Sequence, residues 1–117
     1  MEVIEKKIRV KYADAIRLQI KMYCFMNKLS LSENEINCLV YLSAFSDYVL
    51  NDFCKKAADV GIFKSTQTVR NFISKAVENG FVDKFGEKNR IKISDKLELC
   101  RNSEMLLKYN ILYVAEK

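Results

Sequence analysis

The chain has 117 residues, 50% of them hydrophobic, with 20 Lys+Arg against 15 Asp+Glu, a net charge of +5 and a pI near 9.0. That length suits one domain with a real core, and the basic excess permits an anionic partner without requiring one. The absence of histidine excludes Ser-His-Asp and Cys-His catalysis and histidine metal ligation.

The charge is unevenly placed. Residues 1–28 carry seven basic and three acidic side chains, 29–63 two and five, 64–92 seven and three, and 93–117 four and four. A basic island therefore follows an acidic stretch. Cys24, Cys38, Cys54 and Cys100 form no C-x-x-C pair and sit among apolar or helical neighbours, so buried free thiols in a reducing cytoplasm are expected rather than a redox or zinc role. The N-terminus has no run resembling a signal peptide, and the longest apolar runs, MYCFM and ILYVA, are too short to span a membrane.

In chain order, residues 6–12 alternate Ile8, Val10 and Tyr12 with Lys7, Arg9 and Lys11, which predicts a short half-exposed strand. From Ala13 to about Lys28 the period turns helical. Two apolar stripes run along this helix: Ala15, Leu18, Met22, Phe25, Met26 and Leu29 form one, and Ala13, Ile16, Ile20 and Tyr23 the other. A helix apolar around most of its circumference needs cover on more than one side. Leu18, Met22, Phe25 and Met26 are the expected contacts of a homodimer; the alternative is internal cover by the apolar C-terminal segment.

Ser32 and Glu35 make a capping box, with Leu31 and Ile36 placed as a hydrophobic staple, so a helix starts at Glu33. Ile36, Leu39, Val40 and Phe45 are its expected buried side. Asn51 or its neighbour is positioned to cap a helix that Gly61 ends at the left-handed position glycine favours. Ser65 or Thr66 caps the next helix, whose buried side is Val69, Phe72, Ile73 and Val77 and which Gly80 closes. Phe81–Phe85 and Arg90–Ile93 then read as a hairpin around GEKN, with a short helical turn near Asp95 and a strand over residues 110–116.

The order helix, helix, turn, helix, hairpin over residues 31–93 resembles the winged helix-turn-helix family of DNA-binding domains. The resemblance rests on Ala57 four residues before Gly61, on Val69 and Phe72, on the V-x-x-G-F-V exit from Val77 to Val82, and on the charged hairpin from Phe81 to Ile93. The turn between Gly61 and Val69 is longer than in the tightest bacterial repressors. The implied fold is a single domain, mainly α with a small β-hairpin wing (α+β). Residues 1–30 would add a strand and a helix, and residues 94–117 a C-terminal extension ending in a strand.

The family's task is to place one helix in the major groove. The resemblance implies a small prokaryotic, phage or plasmid transcriptional regulator that binds double-stranded DNA, with helix 66–79 reading bases and wing 84–92 touching the backbone. Thr66, Gln67, Thr68, Arg70 and Asn71 are the expected base readers: Arg70 suits guanine, and Gln67 or Asn71 suits adenine. Lys64, Ser65, Lys75, Lys88, Arg90 and Lys92 are the expected phosphate ligands. Plainer uses exist, since Ser65, Thr66 and Thr68 suit helix capping and Arg70 and Lys75 suit a solvated face. The alternative function is a protein-docking winged helix or a structural component of a larger assembly such as a phage particle. No glycine-rich phosphate loop, paired-acid motif or metal spacing points to an enzyme, and no cofactor is implied.

Overall fold

The computed structural model describes residues 2–9, 11–97, 99 and 104–111, with side chains for 11–97 and 99. Along the chain run β1 (Glu2–Arg9), α1 (Tyr12–Met26), α2 (Glu33–Ser43), β2 (Tyr48–Val49), α3 (Leu50–Asp59), α4 (Thr66–Glu78), β3 (Val82–Phe85), β4 (Arg90–Ile93) and β5 (Glu104–Ile111). A 3₁₀ turn at Asp95–Leu97 precedes β5. The result is a mostly helical α+β fold with a small antiparallel sheet in the order β2-β4-β3, and β1 paired antiparallel with β5.

The α2 start follows from local chemistry. Ser32 Oγ accepts the Glu35 backbone N–H at 3.2 Å, and the Glu35 carboxylate accepts the Ser32 N–H at 2.8 Å. Two helix-end donors that α2 leaves unpaired are thereby satisfied. Ser32→Ala is expected to lower the unfolding free energy by about 1 kcal/mol, read from the urea midpoint at unchanged slope.

The start of α3 departs from the sequence expectation. Val49 is the N-cap and has no capping side chain; the Leu50 N–H instead donates to the Asn89 carbonyl at 2.9 Å. The β3–β4 hairpin thus supplies the partner expected of Asn51. The adjoining strand β2 pairs Tyr48 with Ile91 and Val49 with Arg90. Two residues are too few to show a period of two, so β2 left no sequence pattern.

Helix α3 ends as its glycine requires. Gly61 has φ +84°, and the Ile62 N–H reaches back to the Ala57 carbonyl at 3.1 Å. A side chain at that φ is strained, which is why glycine stands there. Gly80, at φ +83°, closes α4 in the same manner.

The core lies where the four helices meet the sheet. Ile16 and Ile20 of α1, Leu39 and Leu42 of α2, Phe53 and Ala57 of α3, and Val69, Phe72 and Ile73 of α4 are buried together with Phe81, Val82 and Ile91. Leu31 packs against this cluster, in which Ile36 is buried, as the staple pattern predicts. Phe45, expected inside, is 37% exposed and instead packs edge-on against Tyr48 at 4.9 Å, because α2 has already ended at Ser43.

The N-terminal strand begins and ends earlier than its alternation suggests, and Tyr12 already belongs to α1. Its hydroxyl donates to the Ser43 carbonyl at 3.1 Å, tying the start of α1 to the end of α2. The C-terminal strand spans Glu104–Ile111 rather than 110–116; residues 112–117 and Cys100 lie outside the described residues. Only part of the apolar surface of α1 is covered. Ala15, Ile16, Ile20 and Cys24 are buried, while Leu18, Met22, Phe25 and Met26 are exposed.

Candidate nucleic-acid interface

Helix α4 is amphipathic because its apolar residues recur every three or four positions. Val69, Phe72, Ile73 and Ala76 face the core. Gln67, Asn71, Ser74 and Glu78 are exposed and occupy the opposite edge by helical spacing, with Arg70 and Lys75 on its two flanks. Ser65, not Thr66, is the N-cap: its Oγ accepts the Thr68 N–H at 3.2 Å and lies 2.9 Å from Thr68 Oγ1. Ser65 and Thr68 therefore share one capping cluster, and Thr66 stays exposed beside it.

On the exposed edge, Gln67 Nε2 donates to Asn71 Oδ1 at 2.8 Å, an i,i+4 pair spanning one turn. Gln67 Oε1 and Asn71 Nδ2 stay outside that bond and can meet an acceptor–donor pattern elsewhere. Arg70 is only half-exposed. Its Nη2 donates to Asn51 Oδ1 at 2.8 Å, so α3 holds the guanidinium against the side of α4. One fork of Arg70 is used there, and the remaining donors are left to other partners.

The expected phosphate ligands separate into two groups. Lys64, at the α3–α4 turn, and Lys88, in the β3–β4 turn, are exposed, as is Lys84 on β3. The other three cations are engaged within the chain. Lys75 Nζ lies 3.9 Å from Glu35, Lys92 Nζ lies 3.7 Å from Asp95, and Arg90 directs Nε and Nη2 at Asp47 Oδ1 at 2.8 and 2.6 Å. Lys92 Nζ also stands 5.9 Å from the centre of the Phe85 ring. Arg90 is the clearest departure. It clamps the hairpin to the α2–β2 connection, 43 residues away in sequence.

Sequence reasoning missed Asn51, Asp47 and Glu35 as partners. Asn51 and Glu35 carried only capping signals, and Asp47 carried none. Both partners of the Arg90–Asp47 pair keep solvent contact, with side chains 43% and 32% exposed, so the pair contributes on the order of 1 kcal/mol. Asp47→Ala is expected to lower stability by about that amount and to release Arg90 toward solvent. Thermal or urea unfolding reads the first effect, and an unchanged midpoint would show that the clamp carries no stability.

Cys24, Cys38 and Cys54 lie in the core, on α1, α2 and α3. Burial pushes Cys38 up to about 12, with Cys54 and Glu35 adding smaller upward contributions. Burial also raises Cys54, partly offset by the Arg70 guanidinium. Cys24, Cys38 and Cys54 are free and buried, and a raised thiol stays protonated and unreactive. Among the described residues no group of three or more Cys, Asp or Glu could hold a metal ion, and no helix is long and apolar enough to cross a membrane.

An open groove of about 610 Å³ runs beside the start of α4, lined by Asn34, Ala58, Ile62, Phe63, Lys64 and Thr68. The surface around α4 thus joins a concave side to a convex polar edge. No family model, curated protein or solved structure matches the chain.

Proposed function

We propose that residues 31–93 are a winged helix-turn-helix domain that binds double-stranded DNA, as part of a small cytoplasmic transcriptional regulator. Helix α4 enters the major groove by its N-terminal half, and the turn Gly86–Asn89 rests on the neighbouring backbone. The order α2, β2, α3, α4, β3, β4, with β2 seated beside β4, supports the wing geometry. The observation that carries the reading is the exposed Gln67–Asn71 pair, an outward polar edge with the exposed Lys64 just before its start.

The pair matches a base edge chemically. Adenine shows an acceptor at N7 and a donor at N6 in the major groove, and Asn71 Nδ2 with Gln67 Oε1 supplies the complement. Arg70 approaches from the flank and addresses guanine with the donors that Asn51 leaves free. Ser65, Thr66 and the first N–H groups of α4 take a phosphate at the helix start. Glu78 lies on the same edge near the far end, which repels phosphate and confines the contact to residues before it.

Internal pairing of Lys75, Arg90 and Lys92 leaves Lys64, Lys88 and the helix start at Ser65 of the expected phosphate set, to which the exposed Lys84 adds a third lysine. About three phosphates per protomer predict a log–log salt slope near −3, from about −0.9 for each. The same pairing favours a second reading, a winged helix that docks on protein, because these cations serve the fold instead of a polyanion. Selection of bound duplexes from a random pool at near-physiological salt separates the two. Enrichment of one motif supports DNA reading; no binding at any salt transfers the weight to a protein partner.

A further inference from the structure

We infer that the outward face of α1 is a self-association surface, on which a second copy of this chain packs its own α1 antiparallel about a two-fold axis near Met22. This proposal goes beyond DNA binding and stands without it. Leu18, Met22 and Phe25 are spaced by four and three residues on the side of α1 opposite Ile16 and Ile20. That spacing is a helix–helix seam. Exposure of 38%, 50% and 87% for these three, and 76% for Met26, leaves the seam open in the single chain. A contiguous apolar patch of this kind marks an interaction site rather than a solvated face.

The stripe is self-complementary in one direction. With the axis near Met22, Leu18 of each copy meets Phe25 of the other, and the two Met22 side chains meet between these layers. Charge chooses the direction. Asp14, in the first turn of α1, and Lys28, two residues past its end at φ +55°, are both exposed and stand toward the two ends of the seam. Antiparallel packing sets each Asp14 near Lys28 of the second copy, whereas parallel packing sets like charges together. Lys21, the cation nearest the axis, is already held by Glu33 at 3.6 Å.

A stable interface covers about 800 Å² per partner, more than one four-residue stripe offers. The β1–β5 ribbon is placed to add to it. β1 ends at Arg9 and α1 begins at Tyr12, so the ribbon is rooted at the N-terminal end of α1, about two turns before Leu18. Its register sets Ile4 opposite Tyr109 and Ile8 opposite Met105, with Lys6 and Leu107 paired between them. A two-stranded ribbon is marginal in water by itself, so a covering neighbour stabilises it.

Sedimentation velocity of the full chain across the micromolar range tests the inference. Wild type is expected to sediment as a dimer, and Phe25→Glu to raise the dissociation constant by about tenfold or more with an unchanged circular dichroism spectrum. Orientation is read in a Cys100→Ser background, where Leu18→Cys with Phe25→Cys should cross-link under oxidation and Phe25→Cys alone should not. Asp14→Lys should weaken the dimer, and adding Lys28→Asp should restore it. A wild type monomeric throughout, or a dimer cross-linked by Phe25→Cys alone, overturns the proposal, whatever the protein does with DNA.

Discussion

Phe53→Ala is expected to lower the unfolding free energy by about 3–5 kcal/mol, among the largest losses expected of a single truncation in the described core. Phe53 is fully buried, and its ring lies 5.9 Å from Tyr41 and 5.8 Å from Tyr48, so it joins α2, β2 and α3 in one aromatic cluster. Removing the ring forfeits its transfer free energy and leaves a cavity that rigid neighbours on three elements cannot close. A small domain holds only about 5–15 kcal/mol in total, so the variant is left with a fraction of its margin. Urea denaturation measures the loss. A value below about 1.5 kcal/mol would mean that β2 and α3 do not close over this ring.

Arg70→Ala is expected to weaken binding to the selected duplex by about 1–3 kcal/mol and to flatten the preference at one base position, with little change in stability. The effect is on recognition because Arg70 is half-exposed and its known bond is to another surface residue, Asn51. Lys88→Ala should act differently, weakening all duplexes alike and reducing the salt slope by about 1. Fluorescence anisotropy against the selected duplex and a scrambled one separates these cases. Equal affinity for both duplexes before and after Arg70→Ala would remove α4 from sequence reading.

These two expectations draw on different levels of the sequence. The α2 cap and the glycine stops were legible because each is encoded within a few residues, whereas the cluster of Tyr41, Tyr48 and Phe53 joins three elements and was not. Ser32 and Glu35 bond to one another across a single turn, and Gly61 and Gly80 adopt the positive φ their positions demand. The buried edge of α4 was legible for the same reason, as a period of three to four residues.

The fate of the charged side chains was not legible, since their partners are distant in sequence. Arg90 finds Asp47, Arg70 finds Asn51 and Lys75 finds Glu35 only once the helices are assembled. Until then all three cations look equally available. Two-residue β2 was hidden by its length, and in α1 the pattern identified apolar surface without saying which part the fold would cover. The candidate interface is accordingly narrower than its sequence outline: a polar edge on the first half of α4, with Lys64, Lys84 and Lys88 exposed and unpaired among the described residues.

Titration of the isotope-labelled chain with its selected duplex, followed through backbone amide chemical shifts, tests this interface most directly. Large shifts confined to residues 64–75 and to the 84–89 hairpin tip, with the α1 amides unmoved, are the predicted result. Shifts centred on α1 or on the acidic start of α2, with the Gln67–Asn71 edge unchanged, would contradict it.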